Sequence, residues 1–189
     1  MKPQLKEVKQ QGTPLRPLKL YRMQNDTGPI DVPTHWQDTV EVIWVRSGRL
    51  ALRIGEASHT GLPGDVFYIN PCDLHGMQSQ EAGCRYLAFL FPLSWLQFTY
   101  ADEAGESCLA PLAEGGARVV NRLPEAVAAA AAGLLDEIVA LYESTVPGAW
   151  LGIKANVLRL YYLLHSAGLV ERSPGGSRQM DTLLAIAHY

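Results

Sequence analysis

Long apolar runs are missing from this sequence. The longest weakly apolar stretch, AVAAAAAGLL at 126–135, is about half of what a helix needs to cross a bilayer. The opening residues, MKPQLKEVKQQG, are polar and lack the apolar centre of a secretory leader. No membrane attachment and a cytoplasmic location are the expectation. Cysteine is scarce: Cys72, Cys84 and Cys108 are odd in number, irregularly spaced and without a CxxC pair. That argues against a disulfide framework or a zinc knot and predicts reduced, structural thiols. Basic runs are also missing. Sixteen Lys and Arg against nineteen Asp and Glu give a net charge of −3, so this stretch of chain by itself has no cationic footprint for nucleic acid. No internal repeat marks a solenoid. No Ser, Cys or Lys nucleophile stands beside a base at motif spacing.

What is present is a globular composition, 48% hydrophobic and 19% charged over 189 residues, enough for one well-buried domain with appendages. Residues 1–17 carry Pro3, Gly12, Pro14 and Pro17 among charges and read as an irregular arm. From 18 to about 91, short runs rich in Val, Ile, Leu, Tyr, Trp and Phe are cut by Gly, Pro, Asn and Asp. They predict strands at 18–24, 40–46, 49–54, 65–70 and 84–91, the pattern of a sandwich or small barrel. Ser47-Gly48 suits a hairpin turn between the second and third runs, and Pro63-Gly64 the centre of another turn.

After Phe91 the character changes. PLSWLQFTY predicts a short helix, 101–117 a loop and RVVNRL one more strand, with the barrel region closing near 122. Two long helical patterns follow, at 124–145 and 148–168. Val127, Ala131, Leu134, Ile138 and Leu141 form a stripe on the first, and Ile153, Val157, Leu160 and Leu164 on the second. Thr145-Val146-Pro147-Gly148 separates them, so 123–170 reads as an antiparallel helical hairpin. Two broad apolar faces exceed what one small barrel needs to cover it, which predicts dimerisation through Val127, Leu134, Ile138, Leu141, Ile153, Val157, Leu160 and Leu164. Residues 171–179, containing SPGGSR, read as a linker. QMDTLLAIAHY, residues 179–189, carries the start of a further helix over 180–189, whose continuation is expected beyond Tyr189.

The segment PTHWQDTVEVIWVRSG places His35, Gln37 and Glu41 ahead of the second strand. If the extended backbone runs unbroken, His35, Gln37, Glu41, Ile43 and Val45 share one face and Val40, Val42 and Trp44 the other. Both faces are apolar near 42–45, which predicts a strand buried on both sides. Farther on, GLPGDVFYINPCDLHGM delivers His75 past a strand end.

Together the two segments resemble the cupin signatures. His35, Glu41 and Gly48 match the first motif, with Gln37 where a second His would stand, and Pro63, Gly64 and His75 approximate the second with a longer gap before the His. A Gln amide offers a transition metal only a neutral oxygen, so no metal or other cofactor is expected. If any metal binds, His35, Glu41 and His75 are its ligands. With the terminal helices, these segments also resemble the amino-terminal effector-binding and dimerisation region of the AraC family of transcriptional regulators, a likeness covering nearly the whole chain. The resemblance implies an α+β fold: a cupin-like antiparallel β-barrel of jelly-roll type followed by an antiparallel helical hairpin. It implies a small-molecule effector held by His35, Gln37, Glu41 and His75, with Ile43 and Val45 lining the apolar part. A homodimer and a DNA contact made only by a carboxy-terminal helix-turn-helix domain, begun at 180–189, are also implied. Trp36 is expected to be exposed or to pack on the arm as a lid, and Arg46, Arg53 and Arg85 are candidate counter-ions. A metal-dependent cupin enzyme, dioxygenase or isomerase, is the alternative reading, and a self-filled interaction module a third.

Overall fold

The computed structural model describes residues 5–7, 12–25, 28–80 and 82–173. Strands β1 (Lys19–Gln24), β2 (Ile30–His35), β3 (Val40–Ser47), β4 (Leu50–Ile54), β5 (Ala57–Gly61), β6 (Val66–Ile69), β7 (His75–Ser79) and β8 (Arg85–Phe91) build two antiparallel sheets. One has the order β1-β8-β3-β6 and the other β2-β7-β4-β5. Strands close in sequence are shared between the two sheets, which face each other as a jelly roll.

The expected hairpin around Ser47-Gly48 is not one. β3 pairs with β6 and β8, whereas β4 pairs with β5 and β7, so the turn carries the chain from one sheet to the other. Glycine is nonetheless required at 48: its φ is +73°, and a Cβ there would stand 2.6 Å from Cys84 Cα. The local turn was legible, but strand pairing is non-local. β2, β5 and β7 had no strong sequence signal, because Pro33, the polar ASHTG and the short HGMQS break the alternation.

Three layers result. Ile43 and Val45 of β3 point between the sheets, into a core with Leu52, Phe67, Met77 and Leu90. Val40, Val42 and Trp44 point the other way, into a second core with Phe89, Phe91 and the helices. β3 is therefore buried on both faces, as its apolar pattern predicted.

Beyond β8, Leu93–Leu96 makes one 3₁₀ turn. The region expected to be a loop instead forms a π-turn at Gly105–Leu109 that runs into α1 (Ala110–Glu114). Pro111 suits the first turn of that helix and Gly115, at φ +87°, ends it. β9 (Ala117–Val119) follows, then α2 (Glu125–Glu143) and α3 (Ala149–Ser166), which pack as a hairpin. Gly152 allows the close approach, since a Cβ there would lie 2.8 Å from a methyl of Leu141. β10 (Val170–Arg172) then pairs antiparallel with β9, so Glu171 and Arg172, expected in the linker, belong to the ordered fold. The rest of the expected linker after Ser173, and the helix expected at 180–189, lie outside the described residues.

The helical stripes are buried inside the protomer. Leu134, Ile138, Ile153, Val157, Leu160 and Leu164 are packed against the β1-β8-β3-β6 sheet and each other, with Val127 and Leu141 beside them. Six of the eight residues expected to dimerise are thus buried in the protomer's own core, and Val127 and Leu141 are half-buried beside them. One sheet face needs more cover than the sequence pattern suggested, because β3, β6 and β8 present Val42, Trp44, Tyr68 and Phe89 to it.

Candidate functional site

His35 and Glu41 do not share a strand. His35 ends β2 in one sheet, Glu41 lies in β3 of the other, and residues 36–39 cross between them. A bulge places His35. The β2–β7 register jumps from Val32↔Met77 to His35↔His75, giving β2 one residue more than its partner. Pro33, which has no amide hydrogen to give a ladder, sits in that bulge. The extra residue reverses the alternation, so Val32 and His35 both reach the same cavity. The expected common direction of His35, Gln37 and Glu41 is met across the barrel rather than along one strand.

Glu41 Oε2 is the centre of the cluster. It accepts from Gln37 Nε2 at 3.2 Å and from His75 Nε2 at 3.1 Å. The other His75 nitrogen, Nδ1, lies 2.8 Å from the carbonyl of Asp73. A carbonyl accepts, and an ionised carboxylate does too, so the arrangement favours a ring that carries hydrogens on both nitrogens. Burial alone would lower the His75 pKa, but the hydrogen bond and charge of Glu41, helped by Asp73, raise it above 6.5. The pair is buried and satisfied together.

His35 stacks obliquely on His75, with ring centroids 4.3 Å apart. Its Nδ1 donates to the carbonyl of Pro33 at 2.9 Å, leaving Nε2 towards Glu7 of the arm, 3.8 Å away. The arm is held there by backbone: Trp36 N donates to the Leu5 carbonyl and Glu7 N to the Trp36 carbonyl, both at 2.9 Å. Lys6 lies over the Trp36 ring and pairs with Asp38 at 2.8 Å, so Trp36 packs on the arm.

Gln37 is 4% exposed, and its Oε1 has no hydrogen-bond donor. Turning the amide over would set that oxygen against Glu41, so the orphan is an acceptor. Its backbone is fixed as well, the Gln37 carbonyl accepting from Cys72 N at 2.8 Å. Cys72 is the one non-glycine among the described residues with a positive φ, 68°.

A cavity of about 170 Å³ opens beside the cluster, lined by Glu7, Tyr21, Met23, Val32, His35, Gln37, Glu41, Met77, Tyr86, Ala88 and Leu90. Ile43 and Val45, expected on its apolar wall, lie deeper in the core, fully buried. Tyr86, Ala88 and Leu90 take that place from β8. Their period of two was visible in RYLAFLF, but nothing in it showed which sheet they would face. Burial raises the Tyr86 phenol, and the charge of Glu41 raises it further, so it stays neutral. Arg46 reaches Asp136 of α2 at 2.9 Å, away from the cavity, and neither Arg53 nor Arg85 lines it.

A second polar cluster carries His75 towards the end of the described chain. The Asp73 carboxylate accepts from Arg118 of β9 at 2.5 Å and from Asn121 at 3.3 Å. Asn70 clamps the backbone of Val119 from both sides, at 2.9 Å each. Arg118 is the register partner of Glu171 in β10.

Residues 26–161, well over half of the chain, match the family model of the AraC-like ligand binding domain. The chain belongs to that family. No curated protein matches it. Among solved structures, this AraC-like domain overlaps KdgF from Halomonas sp. at 20% identity and a TM-score of 0.38, covering 43% of this chain and 72% of that one. A variant oxalate decarboxylase of Bacillus subtilis gives 19% identity and a TM-score of 0.36, covering 40% of this chain and 21% of that one. Vicilin from Corylus avellana gives 18% and 0.36, with coverage of 41% and 24%. The domain thus spans about a fifth of the length of the oxalate decarboxylase chain. Likeness at this level says nothing about what this barrel binds. Its topology, two four-stranded antiparallel sheets with a helical hairpin on one, is the α+β cupin-like arrangement expected.

A metal was the open question for this fold. The donor atoms of His35, Glu41 and His75 lie within 4.8 Å of one another. Both histidines have Nδ1 on a backbone carbonyl, which is the orientation that frees Nε2 for a ligand bond. The residues therefore fit a divalent transition metal, provided His75 gives up the proton it shares with Glu41.

Proposed function

We propose that the cavity between the sheets binds a small polar effector whose hydroxyl or amine donates to Gln37 Oε1. That orphan acceptor carries the reading. A buried polar atom without a partner costs on the order of 1–3 kcal/mol, and here it stands on the wall of a cavity beside Glu41. The cavity of about 170 Å³ is below the roughly 300–1,000 Å³ of pockets for drug-sized ligands, so the effector is small. Family membership supports a sensing role in transcription regulation rather than catalysis, and a cytoplasmic regulator fits a chain in which no described helix is long and apolar enough to cross a membrane.

Binding acts through differential affinity. An effector touching Glu41 alters the demand on His75, and the Asp73 network links His75 to β9 and β10, after which the chain leads on towards a DNA-binding domain. A homodimer completes the reading, on a different face from the expected stripes. Leu151 and Tyr162 of α3 are 74% and 75% exposed, with half-buried Leu158 between them on the same side of the helix. A second copy of this chain is the occupant. Sedimentation should show a dimer that the double variant Leu151→Ser/Tyr162→Ser converts to a monomer without unfolding.

The test of the sensor is a thermal-shift panel of small polyols, amines and hydroxy acids, repeated on Gln37→Leu. A compound that raises Tm in the native protein and not in the variant is expected. If none raises Tm, the reading falls. The His35, Glu41 and His75 donor set favours a second reading, a metal-dependent enzyme. Elemental analysis of protein purified without chelator decides it, and substoichiometric metal removes it.

A further inference from the structure

Outside the barrel, a cleft of about 390 Å³ lies where the arm, β1 and the turn end of the helical hairpin meet. Its chemistry is one-sided. Arg16 and Lys19 line it together with Tyr21, Tyr142 and Trp150, and among the described residues no carboxylate does. Neither cation has an ion-pair partner among the described residues. The nearest acid of α2 in sequence, Glu143, pairs with Arg22. Arg16 is presented by a closed turn: Thr13 N donates to its carbonyl at 2.9 Å, and its own amide returns to the Thr13 carbonyl at 3.0 Å. Its guanidinium lies 5.7 Å from the centre of the Trp150 ring. That ring is held in turn by Trp95 and Tyr142, with centroids 6.5 and 5.9 Å away. Aromatic walls so fixed offer a planar ligand a surface already ordered.

We propose that this cleft is a second ligand site, for a planar aromatic carboxylate. The ring stacks against Trp150 and Tyr142, and the carboxylate takes the fork of Arg16 with Lys19 behind it. A ligand seated there joins the arm to the α2–α3 turn. Tyr21 lines both this cleft and the barrel cavity, so the two hollows share a wall.

Titration calorimetry with 2-naphthoate, 2-naphthamide and cyclohexanecarboxylate tests it on the 189-residue chain. Saturable 1:1 binding of 2-naphthoate is expected, at least about tenfold tighter than either control. The double variant Arg16→Gln/Lys19→Gln should lose about tenfold or more while melting as the native protein does. Arg53→Gln, on the outer face of the other sheet, should bind as before. No binding of 2-naphthoate, equal binding of the amide, or full affinity in the double variant would each overturn the proposal. The outcome is independent of the effector panel, whose decisive residue is Gln37.

Discussion

The barrel cavity and the arm cleft are hollows of opposite character. In the cavity, buried groups answer each other: His75 lies between Glu41 and the Asp73 carbonyl, while Gln37 Oε1 is buried without a partner among the described residues. In the cleft, two cations stand among aromatic rings with no acid among the described residues to meet them. A hollow that satisfies its own charges can select only through what remains unpaired, so it suits a small, neutral donor. One that leaves like charges open in solvent selects by charge. The difference also separates stability from affinity. Removing a buried partner exposes the fold to an uncompensated ion, whereas removing a solvated cation costs the fold little.

That contrast is sharpest for His75→Ala, which strands Glu41 in the core with one amide donor. A loss of about 3–5 kcal/mol is expected from urea unfolding. A loss below about 1 kcal/mol would mean that the pair is not an ion pair and that the two hollows do not differ as described. Glu41→Gln/His75→Gln should cost less than the sum of its single variants.

The pH dependence tests the same pair. The folded pKa of His75 lies above its unfolded value of 6.5, so the folded chain holds that proton more tightly. Its contribution is complete below about pH 6.5 and fades as pH rises through the folded value, by up to about 1.4 kcal/mol per pH unit. Unfolding midpoints across this range should fall for the native chain and change less for His75→Gln. A native midpoint that rises instead would reverse the assigned charge state.

Asp73→Asn is the next smaller effect, about 1–2 kcal/mol, because the carboxylate is nearly buried while Arg118 is about a third exposed. Amide hydrogen exchange in β9 and β10 should quicken with it. Unchanged exchange there would disconnect the cavity from the end of the described chain. Least of all, Arg16→Gln/Lys19→Gln should shift stability by under about 0.5 kcal/mol. A larger loss, read from the same urea curves, would show that the cleft is structural.

Much of the fold is readable where the reason is local. The two-sided burial of β3 follows from VEVIWV itself, and both helical patterns end within two residues of the observed helices. The site residues are readable as a set, but alternation along one strand does not explain their common face. A bulge at Pro33 and a crossing between sheets bring His35 to Glu41. Ile43 and Val45 face the expected way but sit too deep to touch the cavity. The apolar stripes of α2 and α3 are real, and most of each covers this chain's own sheet. A helical period reports that a face is buried and not what buries it.

By itself the sequence determined the turn that demands glycine at 48, the periods of strand and helix, and which polar residues are too costly to bury without purpose. These depend on a residue and its near neighbours, whose sterics and spacing are written in order. Tertiary structure alone decided that β3 and β4 part into different sheets, that Glu41 and His75, 34 residues apart, share a proton's bonds, and that Gln37 is left with an acceptor unmet. Those outcomes rest on desolvation and on partners distant in the chain, and neither exists until the sheets close on each other.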